Sequence, residues 1–132
     1  MVTMITPLEI ERGLVIRFDP EKLGAHGAAP DRRPARAVQG LHYFVCIGPC
    51  GPWSVWVPAF SRHRPGRIPL GYKAGSLNWT GQESFVDLEQ MWVVPDEVLS
   101  PASAGVDRTA RGNRNRTSCR FLLGPTELEE AI

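Results

Sequence analysis

The sequence lacks any long run of apolar residues. No stretch approaches the roughly 18 to 20 residues that a membrane-spanning helix needs. The first residues, MVTMITPLEIER, also have neither the basic start nor the apolar core of a signal peptide. We therefore expect a cytoplasmic protein that does not enter a membrane.

Cysteine is scarce and odd in number, which argues against a disulfide framework. The chain has Cys46, Cys50 and Cys119. A zinc site formed by His42, Cys46 and Cys50, with Cys119 as a fourth ligand, is an alternative, but structural zinc sites usually show two tight Cys or His pairs. We interpret the cysteines as buried free thiols, and we predict neither a metal site nor a cofactor.

The sequence also has little room for long helices. Among its 132 residues are 13 Gly and 12 Pro, which interrupt regular structure every few positions. This composition favours many short strands joined by turns, and the length is that of one domain, residues 1–132. Apolar runs predict strands at 14–18, 41–47, 53–60, 84–94 and 119–123.

Three segments between these runs carry other signals. Residues 21–40 and 61–80 are predicted to be long excursions, that is, connecting segments between strands. We expect the first to be a loop that acts as a flexible flap. Residues 100–118 read as a flexible basic arm. Pro95 should end a strand, and Asp96 and Glu97 favour a short helix after it, since carboxylates stabilise the first helical turn. Trp53 and Trp56, three residues apart, should face opposite sides of their strand, so that one is exposed.

Acidic residues are missing from residues 60–73 and nearly so from residues 106–120. The two stretches form a basic surface that we predict to bind nucleic acid, although both would also suit solvated loops. The predicted contacts are Arg62, Arg64, Arg67, Lys73, Arg108, Arg111, Arg114 and Arg116.

Short strands with basic excursions suit a small, bent antiparallel barrel of five or six strands with one to three short helices, for which an SH3-like barrel is the simplest closure. The motifs resemble the MazF/PemK family of toxin endoribonucleases over about residues 11–99. The resemblance lies in RGLVIRFDP (12–20), Arg33-Pro34, PAFS (58–61) and SFVDLEQ (84–90).

The resemblance implies a toxin-like mRNA interferase that cuts single-stranded RNA without metal, pairs as a homodimer and is inhibited by an acidic antitoxin. It assigns the family's hydroxyl to Ser61 and matches Ser84 and Gln90 to a later strand. Its arginine-proline pair matches Arg33-Pro34, but His42 stands at the strand entrance. Either an insertion follows Arg33-Pro34, or His42 replaces the catalytic arginine.

RNA cleavage by a 2′-hydroxyl needs proton transfer and positive charge over the phosphorane oxygens. We assign the charge to Arg33 or Arg36, phosphate orientation to Ser61, and proton transfer to His42, because imidazole changes charge near neutral pH. The competing interpretation makes His42 a packed or surface residue and Ser61 a strand-end cap. The function would then be that of a non-catalytic SH3-like barrel that binds nucleic acid or a protein partner.

Overall fold

The computed structural model describes residues 5–25, 27, 29–30, 40, 42–103 and 114–119. Within these residues the protein is mainly β, with a few short helices. The strands are β1 (Leu14–Phe18), β2 (Ala29–Pro30), β3 (His42–Cys50), β4 (Trp53–Phe60), β5 (Arg67–Pro69), β6 (Lys73–Ala74), β7 (Phe85–Asp87), β8 (Trp92–Pro95) and β9 (Asn115–Thr117). The helices are α1 (Pro20–Ala25), α2 (Leu77–Thr80) and α3 (Leu99–Ser103), with 3-10 turns at Pro7–Glu9 and Asp96–Val98.

The strands form one antiparallel sheet, which the pairings of the described residues leave open. Its order is β2-β8-β4-β3-β1-β9-β6. Beside β8, the same edge of β4 also pairs β7, and β7 pairs β5. The centre is the β3–β4 hairpin, which turns at Gly51, where φ is 61°. The register shifts between Cys46 and Gly48, so the hairpin carries a β-bulge.

The central strands have a buried hydrophobic cluster on each side. Successive side chains on a strand point to opposite faces, and on β4 Trp56 enters one cluster while Val57 enters the other. In the first cluster Phe18 packs edge-to-face against both Phe44 and Trp56, with ring centroids 5.7 and 5.0 Å apart. The prediction for the Trp53 strand is confirmed, since Trp53 is 47% exposed and Trp56 is fully buried.

The strand predicted over 84–94 is interrupted. Asp87 ends β7, and its side chain accepts a hydrogen bond from the Glu89 amide at 3.0 Å, which makes a tight turn before β8 begins. Both halves then pair with β4. This break, together with the strands β2, β5, β6 and β9 that were not predicted, gives nine short strands in the described residues in place of the five or six predicted.

The excursion at 21–40 was wrongly predicted to be a loop throughout. The Asp19 side chain accepts a hydrogen bond from the Glu21 amide at 3.0 Å, and Pro20 fits the first helical position. Leu23 is buried against the first cluster, which holds α1 on the core. Farther along, β2 pairs with β8.

The helix predicted after Pro95 is confirmed by the 3-10 turn at Asp96–Val98 and by α3. It extends into the arm predicted over 100–118, and β9 occupies 115–117, so those parts of the arm are structured. The reason is burial, because Leu99, Ala102 and Asn115 are all enclosed by the core. The rest of the arm up to residue 113 and the strand predicted at 119–123, apart from Cys119, lie outside the described residues. No helix in the described part of the chain is long and apolar enough to cross a membrane.

Candidate nucleic-acid site

Three strand ends meet at one place on the sheet. Since β1 and β4 both run antiparallel to β3, the end of β1 and the end of β4 lie beside the start of β3. Arg17 is opposite Tyr43 and Phe18 is opposite His42 in the register. Ser61 directly follows β4. Two adjacent cavities open here, and both are lined by His42, Phe60 and Ser61.

The first cavity, which we name the Arg17 cavity, has a volume of about 190 Å³. Its walls combine aromatic rings with hydrogen-bonding side chains. The rings are Tyr43, Phe60 and Trp79, and the polar side chains are Arg17, His42, Ser61, Asn78, Gln82 and Ser84.

The second cavity, which we name the Arg64 cavity, has a volume of about 170 Å³ and is lined by Arg62, Arg64 and Arg67 in addition to the three shared residues. In the described part of the chain, neither lining includes an Asp or a Glu. The pair of cavities is therefore electropositive, which favours an anionic ligand.

His42 is oriented by the backbone of β4. Its Nδ1 lies 3.0 Å from the carbonyl oxygen of Ala59. A carbonyl oxygen can only accept, so Nδ1 carries the proton in this bond and Nε2 is the basic nitrogen of the neutral ring. The ring also packs against Phe60, with centroids 5.0 Å apart. The histidine is thus held in the tautomer that a general base requires.

Arg67 is positioned by Phe60. Its guanidinium carbon lies 3.7 Å from the centroid of that ring, and Nη1 donates to the Arg62 carbonyl at 3.0 Å. Asp87 is the cross-strand neighbour of Arg67 on β7. These contacts hold one of the three cationic groups of the Arg64 cavity on a rigid aromatic support.

Lys73 was predicted to contact nucleic acid, but its ammonium group lies behind the wall of the Arg17 cavity. Nζ donates to Ser84 Oγ at 2.8 Å and to the Gln82 carbonyl, and it lies 4.0 Å from the centroid of the Trp79 ring. Burial of the ammonium group lowers its pKa. Lys73 thus orients Ser84, Gln82 and Trp79, which line the cavity.

Helix α2 supplies one side of the Arg17 cavity. The Ser76 side chain caps it by accepting from the Trp79 amide at 3.3 Å. Asn78 Nδ2 donates to the Tyr43 hydroxyl at 2.8 Å, and Trp79 Nε1 donates to the Arg116 carbonyl at 3.1 Å. A four-residue helix is not stable alone, so these bonds to β3 and β9 fix its position.

The structure brings His42, Ser61, Arg62, Arg64 and Arg67 together. Three more basic residues of the described chain were predicted to bind nucleic acid. Lys73 does not line either cavity, and Arg114 and Arg116 form ion pairs with Glu9 and Glu11 and do not line the cavities either. The remaining predicted residues, Arg33, Arg36, Arg108 and Arg111, lie outside the described residues.

Sequence reasoning missed Arg17. It is the single charged residue in the run LVIRF, and its guanidinium carbon lies 5.6 Å from the centroid of the Tyr43 ring. An arginine inside an otherwise apolar strand is the signal that could have identified it. Gln90, matched by the resemblance, is buried, donates to Asp87 Oδ2 at 3.0 Å and does not line either cavity.

The three cysteines have different environments. Cys46 is buried in the first cluster, and burial raises the pKa of its thiol to about 12. Cys119 is half-buried and donates to the Cys46 carbonyl at 3.6 Å, and burial also raises its pKa. Cys50 is exposed beside the β3–β4 turn, contrary to the prediction of buried thiols. The prediction failed there because strand β3 continues beyond the core as far as the turn.

No protein-family model matches the sequence, no curated protein matches it, and no solved structure matches it.

Proposed function

We propose that this protein is a toxin-like endoribonuclease that cleaves single-stranded RNA without a metal ion, on a MazF/PemK-like, SH3-like barrel. The observation that supports the proposal is the junction of two electropositive cavities at His42 and Ser61. A cytoplasmic homodimer inhibited by an acidic antitoxin remains part of this proposal.

The side chains at the junction can supply the base and the positive charge that the reaction needs. His42 Nε2 takes the proton from the 2′-hydroxyl, whose oxygen attacks the adjacent phosphorus as the bond to the 5′-oxygen breaks. The leaving 5′-oxygen takes a proton from solvent. Arg64 and Arg67 stabilise the charge on the phosphorane, because guanidinium groups bind phosphate by paired hydrogen bonds, and the Ser61 hydroxyl donates to the same phosphate.

Arg17 adds a cation that does not depend on how the Arg33-Pro34 pair is assigned. It lies across the shared residues from the Arg64 cavity, so a phosphate beside Ser61 would have arginines on two sides. Cationic groups aimed at developing charge typically change a rate by about a hundredfold or more each.

The test is to incubate the purified protein with a mixed-sequence RNA in EDTA and to map the fragment ends. We expect 2′,3′-cyclic phosphates and 5′-hydroxyls. His42→Asn is the informative variant, because an asparagine amide can still donate to the Ala59 carbonyl but offers nothing in place of Nε2. The rate should fall by about a hundredfold or more.

His63→Asn is the matched control. His63 lies in the same basic segment and packs against Phe85, with ring centroids 5.3 Å apart, but it lines neither cavity. Its variant should cleave at the parent rate. A parent protein that binds RNA without cutting it would instead support the non-catalytic binding module, and equal rates for the two variants would remove His42 from the mechanism.

A further inference from the structure

The cleavage step proposed at the junction lacks a protein group that gives a proton to the leaving 5′-oxygen. Proton transfer from a positioned side chain typically raises a rate by about a hundredfold or more. Displacement at phosphorus places the attacking and the leaving oxygen roughly in line, on opposite sides of the phosphorus. Because His42 takes the proton of the attacking 2′-hydroxyl, an acid for the leaving oxygen must lie across the phosphate from His42.

Ser84 lies in that position. Strand β4 pairs with β3 along one edge and with β7 along the other. His42 begins β3, whereas Ser84 directly precedes β7. Phe60 of β4 is opposite Phe85 of β7, so the next residues of the two antiparallel chains, Ser61 and Ser84, lie side by side. A phosphate held by Ser61 thus has His42 on one side and Ser84 on the other, and all three residues line the Arg17 cavity.

The hydroxyl group of Ser84 is available to donate. Its oxygen accepts a hydrogen bond from Lys73 Nζ at 2.8 Å, and a lysine ammonium group has no lone pair with which to accept in return. Among the described residues, this is the hydroxyl's only hydrogen bond. The Ser84 proton is therefore left for a ligand in the cavity.

Lys73 can replace the proton that Ser84 gives away. The Gln82 carbonyl accepts a second hydrogen bond from Nζ, and the centroid of the Trp79 ring lies 4.0 Å from it, so the ammonium group is held in place. Burial lowers the pKa of this group, which makes it a stronger acid than an exposed lysine. The side chain is only half-buried, so solvent can return a proton to the amine.

We propose that Ser84, in place of solvent, is the general acid of the cleavage step and that Lys73 resupplies its proton. As the bond between phosphorus and the 5′-oxygen breaks, its electron pair stays on the 5′-oxygen, which takes the Ser84 hydroxyl proton. The serine oxygen takes a proton from Lys73 Nζ, and solvent then reprotonates the neutral amine. Ser84 is thus a catalytic residue, and Lys73 acts through it. This inference rests on the proposed cleavage of RNA at the junction.

The test compares two RNAs that share one mapped cleavage site and differ there in one atom, a sulfur in place of the bridging 5′-oxygen. A thiolate leaves without a proton, since thiols are much stronger acids than alcohols. In single-turnover assays, Ser84→Ala should cut the ordinary RNA about a hundredfold more slowly than the parent, and the sulfur RNA at the parent rate. Lys73→Arg should show the same pattern, because a guanidinium group keeps the charge but gives up no proton.

Ser61→Ala is the matched control, because the Ser61 hydroxyl donates to a phosphate oxygen that stays on phosphorus. This variant should slow both substrates by the same factor. Equal slowing of both substrates by Ser84→Ala, or parent activity of that variant on the ordinary RNA, would overturn the inference and leave the proposed enzyme intact. Sulfur rescue of Ser84→Ala but not of Lys73→Arg would support Ser84 and refute the role of Lys73. A parent protein that cuts neither RNA would refute both the enzyme and the inference.

Discussion

Gly13 is a position where even a methyl group should destabilise the sheet. Its φ is +94°, and a Cβ built there would lie 2.6 Å from the Thr117 carbonyl oxygen. The backbone of Gly13 also joins β1 to both neighbouring strands, since its amide donates to Cys46 and its carbonyl accepts from Thr117, each at 2.9 Å. A methyl group at Gly13 therefore pushes β9 away from β1.

The loss of unfolding free energy expected for Gly13→Ala has two parts. A non-glycine residue at positive φ costs roughly 1 to 2 kcal/mol. Displacing Thr117 adds the loss of a buried hydrogen bond, about 1 to 3 kcal/mol. Gly13→Ala should therefore lower the free energy of unfolding by about 2 to 5 kcal/mol, a large share of the roughly 5 to 15 kcal/mol typical of a domain.

The Gly66→Ala variant separates the conformational cost of positive φ from the cost of displacing Thr117. Gly66 has a similar φ of +85°, but a Cβ there would meet nothing within 4 Å. It carries the conformational cost alone, about 1 to 2 kcal/mol. Urea unfolding followed by tryptophan fluorescence measures both variants. Equal losses of stability would show that the contact between Gly13 and β9 is not what restricts this position.

Two further predictions concern titration. Glu9 has a pKa lowered from 4.5 to about 2, chiefly by its hydrogen bond to Arg114, and the two side chains are 31% and 26% exposed. A lowered pKa stabilises the fold above pH 4.5, and this effect is lost as pH falls through 2. Glu9→Gln should therefore cost about 1 kcal/mol of unfolding free energy at pH 7 and much less at pH 2, as chemical denaturation at each pH would show. Equal cost at both pH values would contradict the ion pair. Iodoacetamide should alkylate Cys50 first and Cys46 only on unfolding, as peptide mass mapping would show, since Cys46 is buried and has a pKa near 12. Early labelling of Cys46 would refute its burial.

The strands could be predicted because their signals are local. Apolar β-branched and aromatic runs between glycine and proline turns identify β1, β3 and β4. Predictions from the same signals failed where a single side chain determines the local secondary structure. Asp87 interrupts a run that otherwise alternates, and Asp19 with Leu23 makes a helix in a segment whose Gly and Ala content suggests a loop. Capping and one buried contact outweigh composition in both places.

The candidate site was only half predictable for a different reason. His42 and Ser61 stand at strand ends, and strand ends can be read from sequence. Arg17 becomes part of the site only through the pairing of β1 with β3, across 25 residues of chain that no local pattern spans.

The distribution of charge follows from the same topology. The end of β1, the start of β3 and the end of β4 meet on one edge, and the sequence places Arg17, His42 and Arg62 at or just beyond these three ends. Arg114, just before β9, and Arg116, on β9, form ion pairs with the carboxylates of Glu9 and Glu11, which neutralise them. The net charge of +1 therefore does not show how unevenly charge is distributed over the protein. Ion pairs form around β9, whereas the junction of the two cavities is basic. The folding of the sheet, and not the composition of the chain, leaves the positive charge at that junction, which is why we propose that an anionic ligand binds there.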